Sequence, residues 1–219
     1  VLANKDVDAV YISLPNSLHE EWAIKAAQVG KHVWCEKPAA LTYASAKRMI
    51  AACKKNNVRL MEGFMFLSHP QHAQVKKLID DGVLGELLVF NGCFAYRMPN
   101  TESNARNNKL GGGSYNDSAP YPIRASKMIF DDDPESIVCN LKVDPKTQVD
   151  VKSDMLLSYS NGRSAFISSA FGAYFQSTYS VLGSKACIRM ERAYAVPKDM
   201  AVRIFLESED RMNEISIEP

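Results

Sequence analysis

Three segments of this 219-residue chain bring together side chains that handle protons or hold a ligand. Glu36-Lys37-Pro38 closes the short run His32-Val33-Trp34-Cys35, and the proline keeps the lysine near the end of that run. Pro15-Asn16, with His19 just beyond, closes the apolar run Val7–Leu14 in the same way. If both runs are parallel strands, their carboxyl ends are where an open sheet binds ligands. The third segment, Gly111-Gly112-Gly113-Ser114-Tyr115-Asn116-Asp117-Ser118-Ala119-Pro120-Tyr121-Pro122, sets a carboxylate and a phenol four residues apart, the spacing that shares one face of a helix. Ammonium, carboxylate, phenol and imidazole are the groups of general acid–base chemistry.

Each segment also has a plainer reading. A turn with a solvated lysine fits Glu36-Lys37-Pro38 equally well on local sequence. Taken alone, Gly111–Pro122 reads better as a flexible loop, with Asp117 near a helix start and Tyr121 half-buried. It lacks the G-x-x-x-x-G-K-[ST] spacing of a phosphate loop. Arg106, in the polar stretch Pro99–Lys109, is either a substrate or cofactor contact or a solvated loop charge. His69 and His72 lie three apart with no carboxylate or cysteine at ligand spacing, so no metal is expected.

The elements that must position these residues follow from periodicity. Val7–Leu14 reads as a strand buried on both faces, and His19–Val29 as a helix stopped by Gly30. His32–Cys35 is a second strand, Tyr43–Asn56 a helix capped by Thr42, and Val58–Phe64 a third strand. That alternation predicts right-handed crossovers and a parallel sheet. Further on, a helix over Pro70–Asp81, a strand over Leu87–Tyr96 and a helix over Tyr115–Phe130 are expected. From Glu135 onward strand-like runs alternate with turns at Asp144-Pro145, Asn161-Gly162 and Gly183-Ser184, the pattern of an antiparallel sheet. The fold class is therefore α/β followed by α+β: a partial Rossmann layer over residues 1–64, then an open, mainly antiparallel sheet backed by helices over residues 65–219. The opening Val1-Leu2-Ala3-Asn4 reads like a helix end.

Composition excludes several classes. With 26 basic and 25 acidic residues the formal charge is +1, too even for the basic face that nucleic acid requires. No apolar run is long enough to span a bilayer, so no membrane is expected. The five scattered cysteines form no C-x-x-C pair, which argues for isolated thiols in a reducing, cytoplasmic setting.

In combination the motifs resemble the glucose–fructose oxidoreductase/inositol dehydrogenase (Gfo/Idh/MocA) family. Asp6–Ile12 with Leu14-Pro15-Asn16-Ser17-Leu18-His19 is similar to that family's fourth strand and loop. Gly30-Lys31-His32-Val33-Trp34-Cys35-Glu36-Lys37-Pro38 resembles its most diagnostic motif. Phe64-Met65-Phe66, His69-Pro70-Gln71-His72, Gly82-Val83-Leu84-Gly85-Glu86 and the Gly111–Pro122 segment follow in the family's order.

The resemblance implies an NAD(P)-dependent oxidoreductase moving a hydride between nicotinamide and a hydroxyl or carbonyl carbon of a sugar or polyol. It implies Lys37 beside the nicotinamide and substrate oxygen, Tyr121 as proton donor and acceptor, and Asp117 holding substrate or orienting that acid. Pro15, Asn16, His19, Glu36 and Pro38 would line the nicotinamide-ribose end, with Pro38 often cis. Tyr121-Pro122-Ile123-Arg124-Ala125 looks most like sugar 3-ketoreductase branches. A free phenol is a poor base at neutral pH, and the expectation is that Lys37 lowers the pKa of Tyr121. Departures from the family pattern are Leu67-Ser68, where Arg-Phe is usual, and Ser118-Ala119-Pro120, where Ile-Gly-x is usual. Pro120 suits a first helical turn, so the helix is expected to begin late, near Ser118. The family's glycine-rich turn lies upstream of the position of Val1, so an N-terminally truncated chain that binds dinucleotide poorly is expected. A homodimer or higher homo-oligomer through the large sheet is expected, with Phe166, Ile167, Phe171, Tyr174 and Phe175 on its face. A diol dehydrogenase acting on a non-sugar substrate, or a dinucleotide-sensing regulator without catalysis, are the alternatives.

Overall fold

The computed structural model describes residues 1–100, 102–209 and 211–218. Its first layer is a three-stranded parallel sheet, β1 (Ala9–Ile12), β2 (His32–Glu36) and β3 (Leu60–Gly63), in the order β1-β2-β3. The crossovers are α1 (His19–Gln28) and α2 (Tyr43–Lys55). Ala23, Ala26 and Ala27 of α1 and Met49 and Cys53 of α2 bury against Ile12, Val33 and Cys35. The Thr42 hydroxyl accepts from Ser45 N at 3.1 Å and caps α2.

Two features of this layer differ from expectation. Adjacent parallel strands added in one direction by right-handed crossovers place both helices on the same face. The opposite face therefore carries Tyr11, Trp34 and Met61 in register, each more than 45% exposed, so the strands are not buried on both sides. Residues before β1 form turns rather than a helix end.

The second layer is an eight-stranded sheet built from β4 (Leu87–Tyr96), β5 (Ser136–Val143), β6 (Asp150–Ser158), β7 (Ser164–Phe171), β8 (Gln176–Gly183), β9 (Ala186–Met190), β10 (Val202–Ser208) and β11 (Arg211–Ile217). Its order is β11-β10-β9-β8-β4-β7-β6-β5, and every pairing is antiparallel except β4 with β7. One face is covered by α3 (Pro70–Asp80), α4 (Ser114–Asp117) and α5 (Pro120–Phe130). Strand alternation sends Phe90, Phe94, Met155, Leu157, Ile167, Tyr179, Val181, Ile188 and Ile204 into that core.

The same alternation corrects the expected sheet-face cluster. Ile167 and Phe171 point into the covered core, Phe166 faces the open side, and Tyr174 and Phe175 lie in the β7–β8 turn. The helix expected from Tyr115 to Phe130 is also two helices. Ser118 returns its hydroxyl to Ser114 O at 3.0 Å, and Pro120, which has no N–H, starts α5. Among the described residues no helix is long and apolar enough to cross a membrane.

Candidate active site

Lys37 leaves the end of β2 through a cis peptide to Pro38. Its side chain is only 12% exposed and reaches across to the second layer. There Nζ donates to the Asp117 carbonyl oxygen at 2.5 Å and to Asp117 Oδ1 at 3.1 Å. Asp117 ends α4, and its Oδ2 accepts a short hydrogen bond from the Tyr96 hydroxyl at the end of β4. The Lys37 ammonium also lies over the Tyr121 ring, 4.9 Å from its centroid.

Tyr121 sits in the first turn of α5. Phe64, Phe66, Phe94 and Tyr194 wall its ring at centroid distances of 6.0, 5.8, 5.0 and 5.9 Å. Burial, with the negative charges of Asp117 and Glu36, pushes the Tyr121 phenol up to about 12. The expected lowering by Lys37 is absent here. Its ammonium is committed to Asp117 and lies over the ring, 4.9 Å from the centroid. The Tyr96 phenol is raised further still, first by burial and then by the neighbouring Asp117 charge.

The expected cofactor-side residues take different parts. Asn16 donates Nδ2 to Gly111 O at 2.9 Å and stitches the β1 end to the glycine segment; Pro15 leads into the turn that carries it. Glu36 accepts from the Tyr11 hydroxyl at 2.5 Å and from Lys37 N at 3.3 Å. His19 is fully buried, with Nδ1 2.9 Å from Pro38 O and Nε2 2.8 Å from Leu14 O. The His19 ring thus ties the two strand-end loops together from within and does not face a ligand.

Asp117 and Tyr121 do not share one helical face, because the helix breaks between them. With Lys37 and Tyr96 on its oxygens, Asp117 orients the lysine in this structure, not the phenol. Arg106 pairs with Asp144 at 3.6 Å and tethers its loop to the β5–β6 turn, which removes it from the cluster. His72 is buried against Ala193 O at 2.8 Å and the Tyr179 hydroxyl at 3.1 Å, a structural role.

Tyr96 and Tyr194 were not singled out from sequence. Tyr96 had a readable signal: it shares the parity of Phe90 and Phe94, so its ring must point inward at the strand's end. Tyr194 had none. It follows β9 in a segment fixed by Ser177 and by the buried Gln71 and His72, all contacts between residues distant in sequence.

The cluster sits at the carboxyl ends of β1 and β2, where an open parallel sheet receives its ligand.

Comparison with known proteins gives two family matches: "Oxidoreductase family, NAD-binding Rossmann fold" over residues 1–64 and "GFO/IDH/MocA C-terminal domain" over residues 72–189. The chain is 34% identical over 215 residues to a dTDP-3,4-didehydro-2,6-dideoxy-alpha-D-glucose 3-reductase from Actinomadura kijaniata. That match takes in 98% of this chain and 64% of the relative's length. A solved 3-ketoreductase from the same organism, in complex with NADP and TDP-benzene, superposes with a TM-score of 0.94 at 32% identity, over 99% of this chain and 67% of the other. An aldose-aldose oxidoreductase from Caulobacter crescentus, complexed with glycerol, superposes at 0.89 with 29% identity, over 100% of this chain and 65% of the other.

Proposed function

The chain belongs to the GFO/IDH/MocA oxidoreductase family, and from that premise we propose that the protein reduces a ketone of a sugar or sugar derivative at the expense of NADH or NADPH. The observation that carries this reading is the meeting of Lys37 and Tyr121 across the two layers, with the ammonium 4.9 Å from the ring centroid.

A nicotinamide held at this site would supply the hydride for the carbonyl carbon. Lys37 is fixed at a strand end and polarises the carbonyl oxygen with the N–H that Asp117 leaves free. Two of its three protons point at Asp117. Tyr121 gives its proton to that oxygen as the C–O bond becomes single. A phenol held near 12 stays protonated at working pH, the state from which it donates. The wall of Phe64, Phe66 and Phe94 excludes water from one side of the ring.

The retained lysine and tyrosine favour catalysis over a purely sensing role. A diol dehydrogenase acting on a non-sugar substrate is the alternative. We further place a second copy of the chain on the open face of the large sheet, where Phe166 and Leu182 are 49% and 44% exposed. The test of function is NAD(P)H consumption by the full-length protein with keto-sugars, nucleotide-linked keto-sugars, aldoses and aromatic diols. Preferential turnover of a keto-sugar is expected; turnover confined to aromatic diols, or none with any class, would overturn the reading.

A further inference from the structure

The side chain that completes the Lys37 site comes from the large sheet. Tyr96 ends β4, a central strand paired with β7 on one side and β8 on the other. Its ring is clasped by Phe94 and Phe171 at centroid distances of 5.9 and 5.3 Å, and its carbonyl accepts from Ala173 N at 3.2 Å. The hydroxyl therefore has little freedom, and it donates to Asp117 Oδ2. A carboxylate with one oxygen held in this way presents the other in a fixed direction. Here that direction is Lys37 Nζ, at 3.1 Å from Oδ1. Asp117 has no other rigid support for its carboxylate among the described residues: α4 is only four residues long and its side chain is 32% exposed.

We propose that Tyr96 is a positioning residue for this reaction, acting through Asp117 to aim the Lys37 ammonium at the substrate oxygen. The role rests on the ketone-reducing reading given above. It makes the rigid centre of the large sheet, and not the short helix α4, the reference against which the lysine is set. A lysine on a flexible four-carbon stem gains most from such a fix, because a misaim of about 1 Å can cost on the order of a hundredfold in rate.

The Tyr96→Phe variant keeps the ring and its packing and removes only the donor. In the full-length protein it should lower kcat for keto-sugar reduction about tenfold, with KM for NAD(P)H and the thermal midpoint nearly unchanged. In an Asp117→Ala background the same change should add less than about a twofold loss, since its route is already cut. A readout that needs no substrate accompanies these: the acylation rate of Lys37 by an acetyl N-hydroxysuccinimide ester, read by mass spectrometry against exposed lysines as internal reference. Lys37 should label several-fold faster in Tyr96→Phe, and by the same factor in Asp117→Ala. Labelling that rises in Asp117→Ala but stays at the wild-type rate in Tyr96→Phe would overturn the proposal, as would equal kcat losses in both backgrounds. A wild-type protein inert toward every keto-sugar would sink the functional reading alone, and the labelling rates would still decide the part of Tyr96.

Discussion

Burial sets the acid–base behaviour of individual residues. With the Tyr121 phenol near 12, proton donation should stay available across the neutral and mildly alkaline range. The kcat profile for ketone reduction, at saturating cofactor, should show no descending limb from this residue below about pH 10; a limb centred near 7 to 8 would assign the proton to another group. His72 gives a second pH dependence, this time of stability. Its folded value is lowered to about 4, chiefly by burial, against 6.5 for a free histidine. A depressed value means the stabilisation is present above 6.5 and is lost as pH falls towards 4, by up to about 3 kcal/mol. Urea unfolding at successive pH values should show that loss in the wild type and a flatter curve in His72→Gln. Parallel curves would contradict the assignment. At this scale the meeting of Lys37 with Asp117 and Tyr121 in one place was legible from motif order. The roles of His19 and Arg106 were not, because the Leu14 and Pro38 carbonyls and the Asp144 carboxylate that occupy them are brought in only by the fold.

The glycine segment and the two short helices behind it decide the geometry at the scale of elements. Gly111 and Gly113 both have positive φ, +77° and +111°. A Cβ at Gly111 would lie 2.7 Å from Leu41 Cδ1, and one at Gly113 would lie 2.1 Å from Asp150 Oδ1. The Asp150 carboxylate in turn holds Ser114 Oγ at 2.6 Å and Tyr115 N at 2.7 Å, which fixes the start of α4. Gly113→Ala should therefore cost about 2 kcal/mol or more in chemical denaturation and also depress turnover, since α4 carries Asp117. A variant with wild-type stability would show that this turn is not strained as described. Strand–helix alternation and the hairpin turns were readable because local periodicity and turn residues encode them. The break between α4 and α5 was half readable: Pro120 announced a helix start, but the Ser118 back-bond that ends α4 leaves no mark in periodicity.

Two layers, each with its own core, meet at one cluster, and that meeting is a property of the whole molecule. Asn16 reaches Gly111 and Lys37 reaches Asp117, so the strand ends of the parallel sheet are joined to the helices that cover the large sheet. The opposite, open face of that sheet is left bare, and a second copy seated there predicts that Phe166→Glu halves the mass seen by sedimentation while leaving the secondary structure intact. Unchanged mass would remove this face as the interface. The layer order was legible from the sequence, but the single parallel pairing of β4 with β7 was not, because strand partners in a sheet are chosen over long separations. The account as a whole stands on Lys37 and Tyr121 acting on one substrate oxygen. The direct measurement is single-turnover hydride transfer to a keto-sugar in the full-length protein, comparing wild type, Lys37→Met, Tyr121→Phe and the double variant. Each single change should slow the step by about a hundredfold or more, with the double variant far less than multiplicatively worse; transfer at near wild-type rate in the double variant would contradict the account.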